Sequence, residues 1–353
     1  MSRKYNVLIM GASYGSLLGA KLLLAGHDVR LVCLPAEAAL IESEGFRVRL
    51  PVKGSNEQVE IDSRRLSGRV SASGADVADP RRYDLVALAM QEPQYASPGV
   101  RELLARTAQA KVPCMSIMNM PPLPYLHRIP GISASDLKHC YADASVWKSF
   151  DPALLTLCSP DPQAFRPPEE KVNVLQVSLP TNFKAARFAS EAHTGILRQM
   201  QADIEAVRFG PAKMELPVKL KVHDSVFVPL AKWSMLLTGN YRCVQRDGVR
   251  SIRDAVHSDI EASRSVYHWV SGLCKSLGAK EEDLVPFEKY AAAAQGLAKP
   301  SSAARALAGG AVAIERVDLL VQSLAAQKRM RSDVVDQTVA LVDSWLARNR
   351  KGK

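Results

Sequence analysis

Two stretches of the 353-residue chain carry residue types at spacings that could do chemistry. The first is Gly11-Ala12-Ser13-Tyr14-Gly15-Ser16-Leu17-Leu18-Gly19, set between an apolar run over 7–10 and an apolar-periodic stretch that reaches Ala25. Glycines at a strand-to-helix turn let the backbone approach a pyrophosphate, and the helix that follows offers free N–H groups and a positive dipole end. Gly11, Ala12, Ser13, Tyr14, Gly15 and Ser16 are therefore candidate cofactor-binding residues. The spacing is irregular: a G-x-G-x-x-G turn would need glycine at 13 and 16, where this chain has serine, as though one turn residue were missing. Such a turn can also serve tight packing alone, or hold another ligand's phosphate.

The second stretch is Val226-Phe227-Val228-Pro229-Leu230-Ala231-Lys232-Trp233-Ser234-Met235-Leu236-Leu237. On a helical wheel Phe227, Leu230, Trp233 and Leu237 share one face, and Lys232 lies on another with Val228, Met235 and Leu236. A helix apolar nearly all round is expected to be buried, which leaves Lys232 little solvent to reach. A buried ammonium is costly, and its pKa falls unless an anion pairs with it. Snorkelling to the surface or a structural salt bridge would also account for it. Facing a substrate carbonyl, the same lysine could donate a hydrogen bond or a proton.

The elements that must position these residues follow from apolar periodicity. After the glycine turn, Gly26-His27-Asp28 and the apolar run 29–34 complete a strand–helix–strand unit. A helix is expected over 35–45, and strands or hairpin arms over 46–50 and 58–61 with the turn Gly54-Ser55-Asn56 between them. The continuous apolar run 85–90 reads as a buried parallel strand that ends in the polar loop Gln91-Glu92-Pro93-Gln94. A helix over 100–110 leads to a strand over 113–118, which ends at Asn119 before the rigid 120–124. Strands over 154–157 and 172–179 are expected to continue the sheet around a proline-rich loop, 159–168, and 185–207 reads as one long amphipathic helix. The pattern changes over 213–223, with no clear strand afterwards, and the rest is helical: 225–240, 252–277, 284–298, 303–326 and 332–349. The implied architecture is an α/β, Rossmann-like dinucleotide-binding domain over 1–215 followed by an all-α domain over 222–353. In an open parallel sheet the loops at the carboxyl ends of the strands line the ligand crevice, which selects the glycine turn, 91–94 and 119–124. Helix 303–326 is apolar enough to form a dimer face or to belong to a core.

Composition narrows the function classes. A hydrophobic content of 47% with 23% charged residues is ordinary for a globular protein. The net charge of +10 is spread along the chain, except for the basic tail 348–353, expected to be a solvated terminus. This suits an anionic cofactor and an acidic substrate better than nucleic acid. The six cysteines are widely spaced with no C-x-x-C, which points to reduced thiols in a cytoplasm and to neither a disulfide framework nor a metal site. Met1-Ser2-Arg3-Lys4 before an apolar run superficially resembles a signal peptide, but Gly11 interrupts the run, which continues into the strand–helix–strand pattern of mature structure. No stretch reaches the ~18 apolar residues of a membrane span.

Taken in order, these residues resemble the ketopantoate reductase (2-dehydropantoate 2-reductase) family over most of the chain. Residues 11–20 with Gly26-His27-Asp28-Val29 look like the family's glycine turn and GH-[DE]-V step with one residue deleted. Ile117-Met118-Asn119 matches its strand-end asparagine, and Lys232-Trp233-Ser234-Met235-Leu236-Leu237-Thr238-Gly239-Asn240 is similar to the helix bearing its catalytic lysine. Lys299-Pro300-Ser301-Ser302 resembles its serine pair, and Glu315 falls near its acidic substrate-site residue. The resemblance implies a Rossmann-like domain joined to a helical domain of the 6-phosphogluconate dehydrogenase C-terminal kind. It implies reduction of a 2-keto acid by NADPH, NAD being less favoured, in pantothenate biosynthesis. In that scheme Lys232 protonates or polarises the carbonyl, and Glu315 with Asn240 and Ser302 grips the substrate. Asn119 and Gln91 lie toward the cofactor.

Each role has a plainer alternative: Ser302 as a helix cap, Glu315 on a solvated face, Asn240 and Asn119 as residues that merely end their elements. The chain also departs from the family pattern. Leu236 replaces the first helix asparagine, Gln91 the lysine after the third parallel strand, and Lys299 an asparagine before the serine pair. Leu34 stands where an arginine often meets the NADP 2′-phosphate, and Cys33 supplies no acid for an NAD ribose. An opine-type dehydrogenase reducing an imine, and a non-catalytic dinucleotide-binding regulator, are the two other readings.

Overall fold

A computed structural model of the chain describes residues 3–52 and 58–352. They group into two compact units. The first comprises the chain to Met90 with Gln94–Pro124 and Val146–Asp224; the second comprises Gln91–Pro93, Tyr125–Ser145 and the chain from Ser225 onward.

The core of the first unit is laid down by runs with no polar alternation. β1 (Asn6–Met10), β6 (Leu85–Leu88) and β7 (Cys114–Ile117) are buried along nearly their whole length, as strands covered on both faces must be. With β2 (Asp28–Val32), β5 (Val70–Ser73), β8 (Leu155–Ser159), β11 (Phe183–Ala186) and β12 (Leu220–His223) they pair in the order β12-β11-β8-β7-β6-β1-β2-β5. All of these pairings are parallel except β8 with β11. The chain runs from β1 out to β2 and β5, then returns to the other side of β1 as β6, so the topological switch point lies between β1 and β6. Helix α1 (Ala12–Leu24) joins β1 to β2; α2 (Pro35–Glu44) follows β2, and α3 (Val100–Ala110) precedes β7.

A second sheet, in the order β4-β3-β10-β9, is built from β3 (Arg47–Pro51), β4 (Gln58–Asp62), β9 (Gln163–Phe165) and β10 (Val174–Leu179). The expected hairpin arms are the antiparallel pair β3 and β4; Gly54, Ser55 and Asn56 lie outside the described residues. The expectation that 172–179 continues the main sheet is corrected, because β10 instead pairs in parallel with β3, Val174 opposite Arg47. From Leu175 onward its burial alternates, Gln176 and Ser178 being more open than Leu175 and Val177, as fits a strand with one face in the core, whereas β6 and β7 are buried throughout. Helix α1 touches both sheets and α5 (Glu191–Ala206), which buries it on nearly every side. The helix expected over 185–207 is also shorter. Residues 183–186 form β11, and α5 begins only after Ser190, whose side chain accepts from His193 N. β12 is a strand in the stretch where the pattern had broken down.

A short helix, α4 (Leu123–Leu126), follows β7. The second unit is helical: α6 (Lys232–Met235), α7 (Ile252–His257), α8 (Ile260–Ser276), α9 (Phe287–Ala294), α10 (Ser302–Ala308), α11 (Val317–Gln327) and α12 (Asp333–Lys351). Several are pieces of longer expected helices. Asp259 caps α8 by accepting from Ala262 N and so divides 252–277. Gly309 and Gly310 end α10, so 303–326 is two helices and Glu315 stands on the segment between them. Leu320, Val321 and Leu324 of α11 are fully buried within this unit, which removes them as a dimer face. The basic tail is solvated as expected, with Arg348, Arg350 and Lys351 exposed, and α12 carries it to Lys351. Asn349 donates to Leu307 O and Ala311 O (both 2.9 Å), and Arg350 donates to Val312 O (3.2 Å).

Candidate active site

In the first unit the glycine turn lies at the carboxyl edge of β1, at the switch point. Gly11 has φ +107°, its N–H donates to Val32 O (2.9 Å), and a Cβ there would stand 2.7 Å from Ala89 O at the end of β6. Only glycine fits between these two strand ends. A Cβ on Gly15 would meet Ile9 Cγ2 at 2.5 Å, so this glycine sets the close approach of α1 to β1. Gly19 has no such constraint, its nearest contact being 3.5 Å. Helix α1 starts directly at Ala12 with no side-chain cap and no acidic residue in its first turn. Its leading N–H groups and positive dipole end are thus available to a phosphate. The Tyr14 side chain turns away to donate to Pro162 O (2.6 Å) and to pack edge-on against Phe183. Ser16 is buried and donates to Ala12 O, while Ser13 is exposed. A pyrophosphate would therefore be held by backbone at 12–14 and by Ser13, and the turn fits a dinucleotide despite its missing residue. Asn119 lies half-buried at the carboxyl end of β7, two strands from β1 in the same sheet.

In the second unit, residues 228–240 form one helical run whose character changes along it: a 3₁₀ turn over Val228–Ala231, the α-turn α6, then a π-turn over Leu236–Asn240. The π-turn has a local cause. Tyr290 reaches over Gly239 and donates its hydroxyl to Met235 O (3.1 Å), in space that a Cβ at 239 would fill. Phe227, Leu230, Trp233 and Leu237 form the buried face as expected. The expectation of burial all round is corrected, since Val228, Lys232, Met235 and Asn240 are each half-buried. Lys232 thus stands at the boundary between core and surface.

The run's end gathers the other candidates of this unit. Ser301 donates to Asn240 O (2.7 Å) and also caps α10 by accepting from Ala304 N (3.1 Å). The cap role thus falls on Ser301, and Ser302 begins the helix exposed. The Tyr241 hydroxyl donates to Glu315 O and accepts from Val317 N (3.0 Å), which ties the 309–316 segment to the helical run. Glu315 is 7% exposed, so it does not belong to a solvated face. Next to it in sequence, Arg316 holds the fully buried Asp318 (3.0 Å) and Asp343 (2.6 Å).

Two residues escaped the sequence reading. Glu92, beside Gln91 in the loop after β6, is 2% exposed and accepts from Ala142 N at 3.1 and 3.2 Å. Burial, reinforced by the nearby carboxylates of Glu315 and Asp143, pushes its pKa up to about 7 against those N–H bonds. Two buried carboxyls, Glu92 and Glu315, therefore feel each other. The sequence marks the loop, but nothing local tells Glu92 from Gln91. The other is Lys21, on α1 between the two sheets: it is 3% exposed, and burial with the nearby Lys219 lowers its pKa to about 7. Its signal was present, because it is the one charged residue of α1, the same pattern that marked Lys232.

Among the described residues no group of three His, Cys, Asp or Glu side chains is placed to hold a metal ion, and no helix is long and apolar enough to cross a membrane. No protein-family model and no curated protein matches the chain. Solved structures do. The chain is similar to a 2-dehydropantoate 2-reductase from Methylococcus capsulatus, with 14% identity over 98% of this chain and 97% of that one, at a TM-score of 0.65. It is similar to D-mandelate dehydrogenase in its ternary structure with NADH and anilino(oxo)acetate, with 12% identity over 98% and 99% and a TM-score of 0.63. It is also similar to a dimeric ketopantoate reductase from Staphylococcus aureus, with 9% identity over 98% and 99% and a TM-score of 0.58. At these identities the likeness establishes the fold, an α/β domain followed by a helical one, along the whole length of the chain.

Proposed function

We propose that this chain, which carries the fold of the ketopantoate reductases, is an NADPH-dependent oxidoreductase that reduces a 2-keto acid, ketopantoate or a related compound, to the 2-hydroxy acid. The observation that carries the reading is the setting of Lys232. It is the one charged residue of the helical run 228–240, and like Asn240 at the end of that run it is half-buried. NADPH, when bound, supplies the hydride that adds to the carbonyl carbon. Lys232 polarises the carbonyl oxygen and gives it a proton as negative charge develops there, so the ammonium becomes an amine and the product an alcohol. Asn240, Ser302 and Glu315 orient the substrate's polar groups, and Asn119 and Gln91 serve the cofactor side. Leu236, where the first helix asparagine would stand, is buried and gives the substrate no hydrogen bond. A keto acid with fewer hydroxyl groups than ketopantoate therefore suits this chain. The D-mandelate dehydrogenase neighbour, solved with the 2-oxo acid anilino(oxo)acetate, supports that substrate class.

The six free cysteines suit a cytoplasmic enzyme, and the dimeric neighbour a homodimer. The test is a screen of 2-keto acids, with and without amino acids, following NADPH oxidation. Lys232→Ala is expected to lower turnover by ~10²-fold or more with nucleotide affinity unchanged. Full turnover in that variant would remove Lys232 from the mechanism. Nucleotide binding without oxidation of NADPH by any acid would favour a regulator.

A further inference from the structure

In this fold the end of the second strand faces the ribose of the adenosine half of the nucleotide. Here that end carries no charge of its own. Cys33 is half-buried, its thiol pushed up to about 12 by burial and by Glu37, and Leu34 is 76% exposed. A charge arrives from elsewhere. Arg166, the residue after β9 in the second sheet, donates from its guanidinium to Glu37 Oε1 in the first turn of α2. Both groups act on the Cys33 thiol, which fixes the pair at the end of β2. The arginine is the more open partner, its side chain 30% exposed against 12% for Glu37. Beside them, at the end of β5 and in register with Val32, the buried hydroxyl of Ser73 has no hydrogen-bond partner among the described residues.

We propose that Arg166 recognises the 2′-phosphate of NADPH at the end of β2 and that Glu37 holds its guanidinium there. The inference rests on the dinucleotide reading above and deepens it. A guanidinium carries five donors in a planar fork, and the bond to Glu37 leaves others for a phosphate. Leu34 lies open for the adenine, and the Ser73 hydroxyl is placed to serve the ribose. Glu37 competes with the phosphate for the guanidinium and would itself accept from an unphosphorylated 2′-hydroxyl. The two residues therefore pull nucleotide preference in opposite directions.

The test is calorimetric titration of NADPH and of NADH into the full chain and two variants. The wild type should bind NADPH more tightly than NADH. Arg166→Met should weaken NADPH roughly tenfold or more while NADH stays within about twofold, as expected for losing one charged hydrogen-bonding group. Glu37→Gln should raise the preference for NADPH. A structural role for the ion pair would instead weaken both nucleotides equally in both variants, and that result overturns the proposal. So does an unchanged NADPH affinity in Arg166→Met, or a wild type that binds only NADH; each of these leaves the dinucleotide reading standing. Binding of neither nucleotide by the wild type would overturn that reading, and the proposal with it.

Discussion

The buried hydroxyl of Tyr241 donates to the main-chain oxygen of Glu315, 74 residues further along the chain. The same hydroxyl accepts from Val317 N–H at 3.0 Å, so one phenol fixes the segment that carries Glu315 and the start of α11. Tyr241 adjoins Asn240, whose own carbonyl is held by Ser301. The main chain at two of the proposed substrate contacts is thus held by neighbouring hydroxyls.

Tyr241→Phe keeps the ring and removes both bonds, leaving buried backbone groups unpaired. A loss of stability of about 1–3 kcal/mol is expected. The KM for the keto acid should rise more than kcat falls, because Glu315 would be displaced while Lys232 stays. Steady-state kinetics beside a urea melt reads both. A variant with normal KM would show that the segment is held by other contacts.

The glycine turn makes a graded prediction. Gly11→Ala places a Cβ 2.7 Å from Ala89 O at a φ of +107°, and strain of about 1–3 kcal/mol is expected together with weakened nucleotide binding. Gly19→Ala meets only ordinary contacts and should be neutral or slightly stabilising in the helix. Equal effects at 11 and 19 would contradict the geometry of the turn.

Glu92 supplies a test in pH. Its pKa rises from 4.5 to about 7 on folding, so the folded state holds this proton where the unfolded state has lost it. The resulting contribution to stability is complete below pH 4.5 and is lost as pH rises through about 7. Glu92→Gln stays uncharged, so it should gain stability relative to the wild type between pH 5 and 8. Parallel stability curves for the two proteins across that range would show that Glu92 is not buried as described.

Lys21 gives the opposite slope. Its pKa falls from 10.5 to about 7, so its contribution is present above pH 10.5 and is lost as pH drops through about 7. The lysine therefore costs stability at neutral pH, and Lys21→Met should raise it on the order of 2 kcal/mol at pH 7. Thermal melts at pH 7 and 10 would show the gain shrinking at the higher value. A destabilised Lys21→Met would mean that the amine has a partner worth more than its burial costs.

What the sequence determined by itself was local. Val7 to Met10, the glycines at 11 and 15, and the apolar run after Asp28 specify a strand, a turn, a helix and a strand, because period and turn chemistry act between near neighbours in the chain. Helix existence in the second half was legible for the same reason, while its breaks at Asp259 and Gly309 lay inside longer stretches of helical periodicity. Tertiary structure decided what depends on distant partners. The same signal, one lysine in an apolar helix, marked Lys21 as well as Lys232. Yet Lys21 is the buried one, because two sheets close over α1, whereas Lys232 is left at a boundary. The place of β10 beside β3, of Glu92 near Glu315, and of Arg166 at the end of β2 could not be read from any window of sequence. Burial, pKa and charge pairing are set by whatever packs against a residue, and for these residues much of that comes from distant parts of the chain, as with Arg166 and Glu37, 129 positions apart.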